Sequence, residues 1–242
     1  VTDIRWHAIG MDDVPADDDW LDEYERARFS TMVYPKRLSE SRLGRWTATA
    51  TIARAFGMDQ TRVEMARIAV RNAPDGAPEL TIDGASVDAV IAMTDRSDWA
   101  VCAIRRGRER IGCDLEVVEP RSPAFVDDYF TPAEREVVAH GDHDLLANLI
   151  WSAKESALKV LRTGLRRDTR TVEVTLGDAR DGGWQAFTVE DAEGDPQWGW
   201  WIRHGAFVFT VACAVPTDVP VALVHPSPLA SAVPTHRWME RL

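Results

Sequence analysis

The sequence predicts an α+β fold made of two similar halves, each a helix packed on an antiparallel strand meander. The first observation is a helical stretch over 36–56, which Gly57 ends. The second is a set of β-like runs with turn residues between them, at 66–70, 79–82, 87–93 and 100–104. The third is that this order returns after a run at 110–117, with a helix over 142–162 and runs at 172–176, 185–189, 198–203 and 206–215.

The repeated order divides the chain into three parts. We expect a first half over 1–108, a second half over 109–215 and a Pro-rich extension over 216–242. The halves share element order but no residues that can be aligned, so their relation is structural. The extension lacks periodicity until His236-Arg237-Trp238 and is expected to be irregular, lying over a neighbouring part of the fold.

Composition excludes several classes of protein. The apolar runs, such as 206–209, are far shorter than the roughly 20 residues that a membrane helix needs. The first residues carry no basic and apolar leader, so we expect a cytoplasmic protein. Three widely spaced cysteines predict free thiols and no zinc cluster. A net charge of −11 disfavours binding to nucleic acid or to an anionic membrane.

An acidic pair interrupts the apolar run at 111–116. Asp114 and Glu116 are two residues apart, so the alternation of a strand points both carboxylates to one face. Adjacent like charges repel unless a cation or a basic side chain neutralises them. The pair alone is compatible with an exposed polar face or with a cation site.

A second polar group lies on the helix predicted over 142–162. Its apolar stripe consists of Leu146, Leu149, Ile150, Ala153, Ala157, Val160 and Leu161. Ser152, Glu155 and Lys159 lie together away from that stripe at about 100° per residue. Alone, Glu155 and Lys159 are also compatible with an ordinary surface pair at i and i+4.

Taken together, the two elements favour a metal site. A compact connection between Asp114 and Glu155 lets the carboxylates of Asp114, Glu116 and Glu155 converge. Three oxygen ligands without histidine or thiolate suit a hard cation such as Mg²⁺ that shares a substrate phosphate. Lys159, one helical turn from Glu155, would face the same phosphate.

These motifs resemble a known family. The pattern I-G-x-D-x-E at 111–116, followed by W-S-x-K-E-S-x-x-K at 151–159, is similar to that of the 4′-phosphopantetheinyl transferase superfamily, in particular its surfactin-synthetase-activating type. The segment 129–134 resembles the family's F-[ST]-x-x-E, and Gly164-Leu165 fits the G-L that follows. The resemblance covers roughly residues 20 to 215, and it implies two halves related by pseudo-two-fold symmetry in a monomer.

The resemblance also implies a role for each matching residue. Asp114, Glu116 and Glu155 would be magnesium ligands, with Glu155 a candidate base, and Lys159 would hold the pyrophosphate of coenzyme A. Lys154 would support phosphate charge. Trp151 would brace the helix, and Glu134 would lie behind the metal or relay a proton. For Trp151 and Lys154, packing and solvation are the alternative.

Two departures from the family concern coenzyme A recognition. Where the family has S-H-S, this chain has Thr94-Asp95-Arg96, so Thr94 would replace a hydroxyl and Arg96 a positive charge, while Asp95 would repel a phosphate. Ala77 stands where the family has a lysine. The compensating cations would be Arg28, Arg42 and Arg45, for which solvated surface positions are the alternative.

The resemblance implies an acidic partner, an apo acyl or peptidyl carrier protein. A cluster of arginines beyond the helix could attract it, or could instead pair with Asp168 and Glu173: Arg162, Arg166, Arg167 and Arg170. Two further functions stay open. One is a catalytically impaired paralogue that binds carrier protein or coenzyme A, and the other is a magnesium phosphoesterase that uses water as nucleophile.

Overall fold

The computed structural model describes residues 3–179 and 183–235. The first part of the chain contains, in order, β1 Ile4–Gly10, α1 Glu23–Ser30, α2 Pro35–Phe56, α3 Arg62–Met65, β2 Ile68–Asn72, β3 Pro78–Ile82, β4 Ala85–Ser86, β5 Ala89–Arg96 and β6 Trp99–Arg106. The second part contains β7 Ile111–Val117, α4 Pro123–Tyr129, α5 Pro132–His140, α6 His143–Leu161, β8 Val172–Ala179, β9 Gln185–Asp191, β10 Gln197–His204, β11 Phe207–Cys213 and β12 Val221–Ala222.

The strands form three sheets. The first has the order β12-β1-β6-β5 and is antiparallel apart from the β12–β1 pair. The second has the order β7-β11-β10-β9-β8 and is antiparallel throughout. A small third sheet, β2-β3-β4, lies beside the first. This mixture of helices and antiparallel sheets confirms the predicted α+β class, and the pseudo-two-fold symmetry stays a prediction.

Each large sheet carries one long helix, and each helix has clear boundary signals. Helix α2 begins with Pro35 and ends at Gly57, whose positive φ of 68° suits a glycine after the last turn. Helix α6 begins after Asp142, whose side chain accepts a hydrogen bond from the amide of Leu145. Both helices match the predicted stretches 36–56 and 142–162.

A shared apolar core joins the two large sheets. Trp6 and Val101 of the first sheet belong to the same buried cluster as Leu115 and Phe209 of the second. The rings of Trp6 and Phe209 lie 5.0 Å apart between centroids. Burying this surface stabilises the fold by roughly 25 cal/mol for each Å² of apolar area removed from water. The packing therefore holds the two sheets together.

The sequence did not indicate several elements. Strand β1 was missed because nearly all its side chains are buried, so no alternation is visible. Helix α1 was missed because its residues are mostly polar, although Asp22 caps its start. Helices α4 and α5 form the compact helical connection expected between Asp114 and Glu155, although their bounds were not predicted, and both begin at proline after a capping hydroxyl.

The Pro-rich extension packs on the first sheet. Strand β12 pairs in parallel with β1, and Leu229 is fully buried in a short 3₁₀ segment, Pro228–Ser231. The segment His236-Arg237-Trp238 lies outside the described residues. Cys102, Cys113 and Cys213 are buried free thiols, as predicted. Within residues 3–179 and 183–235, none of the helices combines the length and apolar character that crossing a bilayer requires.

Candidate active site

A close approach between β7 and α6 builds the site. A Cβ atom added to Gly112 would lie 2.0 Å from the carbonyl oxygen of Ser156, far inside contact distance. Only glycine therefore lets the helix lie this near the strand. Two turns of α6 then run beside β7 and bring Glu155 and Lys159 to Asp114. The glycine of the I-G-x-D-x-E pattern thus has a direct structural reason.

Asp114 is the centre of the polar cluster. The residue is 7% exposed, and its Oδ1 accepts hydrogen bonds from the Oγ1 of Thr94 at 3.1 Å and the Nζ of Lys159 at 2.9 Å. Its Oδ2 is buried and has no hydrogen-bond partner among the residues that the structure describes. A buried carboxylate oxygen without a partner is costly unless a ligand completes it.

Glu155 presents a second such oxygen. Its Oε1 is buried and lacks a partner within the described part of the chain. Loss of solvent raises the pKa of Glu155, the charge of Asp114 raises it further, and Lys159 opposes both. The two carboxylates thus lie close enough to repel each other.

Lys159 binds the strand as well as the acid. Its Nζ donates to the carbonyl oxygen of Cys113 at 2.7 Å and to Asp114. Burial works to lower the pKa of Lys159, but the charges of Asp114 and Glu155 and the hydrogen bond to Asp114 outweigh burial and raise it. About a third of the side chain is exposed, so the ammonium group can also meet a ligand in the groove.

Glu116 is held by two arginines. The Nε of Arg96 lies 3.3 Å and the Nη2 of Arg121 3.0 Å from its Oε2, so Oε1 takes part in neither contact. The Nε of Arg121 donates to Asn148 on α6 at 2.7 Å. Burial raises the pKa of Glu116 to about 7, with Asp114 contributing and the arginines opposing. Arg96 therefore neutralises a carboxylate here.

The three predicted metal ligands do not form a ready cluster. Among residues 3–179 and 183–235, no group of three or more acidic, histidine or cysteine side chains is arranged to hold a metal ion. The donor chemistry nevertheless fits Mg²⁺. Asp114 and Glu155 each offer an unpartnered buried carboxylate oxygen, and hard oxygen donors are what this ion prefers.

Lys154 and Glu134 lie elsewhere, which corrects the roles expected for both. Lys154 is fully buried, with its Nζ 2.8 Å from Oε2 of Glu134, and it also donates to the carbonyl oxygens of Thr169 and Val172. Glu134 in turn accepts from the backbone amides of Thr131 and Val174. Every donor of the ammonium group is used, so Lys154 ties α6 to α5 and β8 and cannot reach a phosphate.

Two neighbouring cavities lie near the cluster, and Lys159 lines the larger one. The larger, of about 910 Å³, lies between the two halves and is bounded by β3, β5, Lys159 and the segment 162–166. The smaller, of about 320 Å³, is lined by Arg28, Arg37 and Arg45. Both cavities touch Asn72 and Met93, so they lie next to each other, and we call the two together the groove. A long, flexible substrate with an anionic end would fit such a groove.

The expected cations of the first half separate into two groups. Arg28 and Arg45 line the smaller cavity. Arg42 instead pairs with Asp18 and donates to the carbonyl oxygen of Pro15 at 2.5 Å. Its guanidinium is therefore bound by the acidic segment before α1 and does not line the smaller cavity.

Thr94 and Arg96 contribute differently from the expectation, whereas Asp95 lies in a cavity where it opposes a phosphate. Asp95 lines the smaller cavity together with Glu40, and loss of solvent followed by the charge of Glu40 raises its pKa. Arg96, the next residue on the strand, turns to Glu116 and Glu119. The hydroxyl of Thr94 accepts from the amide of Leu115 at 3.2 Å and donates to Asp114. Thr94 therefore fixes Asp114.

The basic cluster beyond α6 is mostly paired. Arg170 pairs with Asp168, as the alternative expectation had it, and Arg167 with Asp191. Arg162 and Arg166 border the larger cavity, where the Nη1 of Arg162 lies 3.2 Å from Asp75. Only these two arginines of the cluster line the groove. Trp151, expected to brace the helix, packs on the rings of Phe125 and Tyr129 at 5.0 and 5.1 Å.

Two polar residues of the site were missed by sequence reasoning. Arg121 lies in an irregular segment and carries no signal in the sequence. Asn148 is fully buried and donates to the carbonyl oxygens of Glu119 and Asp144. It lies one turn before Ser152 on the helix, so extending the polar face of α6 by a turn would have found it.

The second half of the chain resembles a known family. Residues 110–222, somewhat less than half of the chain, match the family model of the 4'-phosphopantetheinyl transferase superfamily. The matched segment contains Asp114, Glu116, Glu155 and Lys159 but not Arg28 or Arg45. No curated protein matches the sequence.

Two solved structures are similar to parts of the chain. A holo-(acyl-carrier-protein) synthase from Bacillus anthracis str. Ames, in complex with CoA (3',5'-ADP), has 20% identity and a TM-score of 0.37 and covers 45% of this chain and 100% of that one. A holo-[acyl-carrier-protein] synthase from Thermotoga maritima has 16% identity and a TM-score of 0.36 and covers 54% of this chain and 76% of that one.

Proposed function

We propose that this protein transfers the 4′-phosphopantetheine group of coenzyme A to a serine of an apo carrier protein and releases 3′,5′-adenosine bisphosphate. One observation carries the proposal. Asp114 and Glu155 form a polar cluster with Lys159. Each of the two acids has one buried carboxylate oxygen that lacks a hydrogen-bond partner within the described residues. Lys159 borders the larger cavity, and all three residues lie in the segment that matches the transferase family model.

The groove has the chemistry that coenzyme A requires. Arg28 and Arg45 in the smaller cavity suit the phosphate-bearing adenosine end. The larger cavity, walled by apolar residues such as Leu80, Val90 and Ile91, suits the pantetheine arm. Lys159 borders that larger cavity, and the pyrophosphate would lie beside it.

Lys159 stabilises the charge that the reaction builds. The serine hydroxyl attacks the β-phosphorus, a new P–O bond forms to the serine, and the bond to the bridging oxygen of the pyrophosphate breaks. Negative charge then collects on the departing adenosine bisphosphate. The ammonium group of Lys159, fixed by Cys113 and Asp114, is ready to donate to a phosphate oxygen without reorganising.

Glu155 receives the proton of the serine hydroxyl. No donor within the described residues occupies its Oε1, so one carboxylate oxygen of Glu155 can accept this proton as the new bond forms while its other oxygen faces the cation. The backbone carbonyl of Ser156 against Gly112 keeps this turn of α6 against β7 and so keeps Glu155 beside Asp114.

Asp114 and Glu155 would hold Mg²⁺, and Oε1 of Glu116 would be the third ligand. When bound, this ion neutralises phosphate charge and orients the pyrophosphate. Thr94 and Lys159 occupy Oδ1 of Asp114, and Arg96 and Arg121 occupy Oε2 of Glu116. Asp114 thereby keeps Oδ2, and Glu116 keeps Oε1, for the ion.

The partner is an apo acyl or peptidyl carrier protein. Arg162 and Arg166 at the edge of the larger cavity offer positive charge to an acidic surface near the serine. The motif pattern favours the surfactin-synthetase-activating type, which serves polyketide or nonribosomal peptide synthesis. We propose a cytoplasmic monomer, since both halves of the groove come from one chain.

A second candidate function is a module that binds carrier protein or coenzyme A without transferring the arm. Asp95 favours it, because a carboxylate in the smaller cavity opposes a phosphate. The arginines of that cavity oppose this repulsion, and the intact acid cluster supports catalysis.

Intact mass measurement separates these functions. The protein is incubated with an apo carrier protein, coenzyme A and Mg²⁺, beside a Glu155→Gln control. One added phosphopantetheine on the carrier with the wild type, and none with the variant, is the result expected of the transferase. An unmodified carrier that still binds the protein would indicate the binding module, and coenzyme A breakdown without carrier would indicate a phosphoesterase.

A further inference from the structure

A buried carboxylate lies behind the smaller cavity. Glu25 on α1 is 1% exposed, and its Oε1 lies 2.5 Å from the Nε of Arg45 on α2. The Nη1 of Arg71 is 3.8 Å from the same oxygen. The reaction proposed above makes no use of Glu25, although burying a carboxylate is costly unless it gains a partner.

The partner of Glu25 is also a wall of the cavity. Arg45 is 8% exposed and lines the smaller cavity with Arg28 and Arg37. Its Nη1 is buried and has no hydrogen-bond partner within the described part of the chain. The oxygens of Glu25 are likewise buried without a hydrogen-bond partner among the described residues, so its charge holds the Nε of Arg45 as an ion pair while Nη1 is left for an anion.

Helix α1 holds a second arginine in the same way. The Nη2 of Arg71 lies 2.5 Å from Oδ2 of Asp22, which caps α1, and its guanidinium stacks on Tyr24 at 4.4 Å. Arg71 therefore pairs mainly with Asp22, and the main partner of Glu25 is Arg45. Holding a long side chain in one rotamer before binding removes an entropy cost that the ligand would otherwise meet.

We propose that Glu25 is a positioning residue that holds Arg45 by its Nε, so that the Nη1 edge meets the 3′-phosphate of coenzyme A. This inference rests on the proposed function. It makes Glu25 a determinant of specificity for coenzyme A over 3′-dephospho-coenzyme A, which differs by that phosphate alone.

Charge and position predict opposite effects at Glu25. If only charge mattered, removing a negative carboxylate near the cavity would strengthen phosphate binding. If position matters, removing the acceptor frees Arg45 and weakens phosphate binding. Gln keeps an oxygen that can accept from Nε, so it separates the two effects.

The test measures calorimetric binding of coenzyme A and of 3′-dephospho-coenzyme A to the wild type, Glu25→Ala and Glu25→Gln. A matched control is Glu23→Ala, an exposed acid on the same helix. We expect Glu25→Ala to bind coenzyme A about tenfold more weakly, the size of one lost charge-assisted contact, and the dephospho form unchanged. Glu25→Gln and Glu23→Ala should keep the wild-type preference, and circular dichroism checks that each variant is folded.

Equal weakening of both ligands by Glu25→Ala, or tighter coenzyme A binding, would overturn the positioning role. An unchanged preference in Glu25→Ala would do the same while leaving the proposed function intact. If the wild type binds neither ligand, the proposed function itself fails and the inference falls with it.

Discussion

The Nζ of Lys159 lies 2.9 Å from Oδ1 of Asp114, so a cation from helix α6 and a carboxylate from strand β7 form one unit. The same Nζ holds the carbonyl oxygen of Cys113. This unit fixes the oxygen of Asp114 that faces Thr94 and leaves the other for a ligand.

Replacing Lys159 tests its role in transfer. Lys159→Met keeps much of the side-chain volume but removes the donor to the phosphate. We expect kcat/KM for carrier modification to fall about a hundredfold or more, the usual effect of losing one such donor. The control is Lys36→Met, an exposed lysine on α2, which should leave transfer unchanged. Comparable rates for both variants would remove Lys159 from the mechanism.

Gly112→Ala tests the contact between β7 and α6. The new methyl group would lie 2.0 Å from the backbone of Ser156, so strand and helix must separate. We expect a loss of about 3 kcal/mol in the free energy of unfolding, the upper end for overpacking, measured by urea denaturation. Gly44→Ala, in helix α2 with ordinary contacts, should instead stabilise by about 1 kcal/mol. Similar stability of the two variants would contradict this contact.

Lys154→Met tests whether this lysine is structural. Removing it leaves Glu134 charged and buried, which typically costs about 3–5 kcal/mol. The double variant Lys154→Met with Glu134→Gln should recover part of that loss, because no charge is then buried alone. Urea denaturation of both variants measures the difference. If the Lys154→Met protein is as stable as the wild type but transfers poorly, Lys154 acts in the active site and the structural role is wrong.

The stability of the protein should depend on pH through Glu25. Burial raises the pKa of Glu25 to about 7 against the opposing charges of Arg45, Arg71 and Arg28, with Asp22 adding to the rise. The folded state therefore holds more protons than the unfolded state between about pH 4.5 and about pH 7, so the free energy of unfolding falls as pH rises through that window.

Comparing two proteins isolates this effect. The difference in unfolding free energy between the wild type and Glu25→Gln should change by on the order of 1–3 kcal/mol from about pH 5 to about pH 8. Other titrating groups cancel in this difference. Parallel curves for the two proteins would show that Glu25 does not titrate in this window.

The chemistry of the site could be predicted from the sequence where spacing alone determines it. Asp114 lies on a strand, and Glu155 and Lys159 share the polar face of a helix, so their elements and faces followed from periodicity. Their meeting was an inference from motif spacing. The contact at Gly112 that brings them together depends on tertiary packing.

What could not be predicted depends on partners from distant segments. Lys154 looks like an exposed neighbour of Glu155 in sequence, yet Glu134 draws it into the core. Arg96 looked available to a phosphate, but the loop carrying Glu119 and Arg121 turns it to Glu116. Long charged side chains take whichever partner the tertiary fold offers, and local sequence does not specify it.

The central claim is that Asp114 and Glu155 meet at one divalent cation beside Lys159. A crystal structure with Mn²⁺ and 3′,5′-adenosine bisphosphate tests it most directly, with anomalous scattering locating the ion. The account predicts one manganese peak bound by both carboxylates, with the pyrophosphate end of the nucleotide beside the ammonium group of Lys159. A nucleotide bound elsewhere, with these acids facing separate regions of solvent, would contradict it.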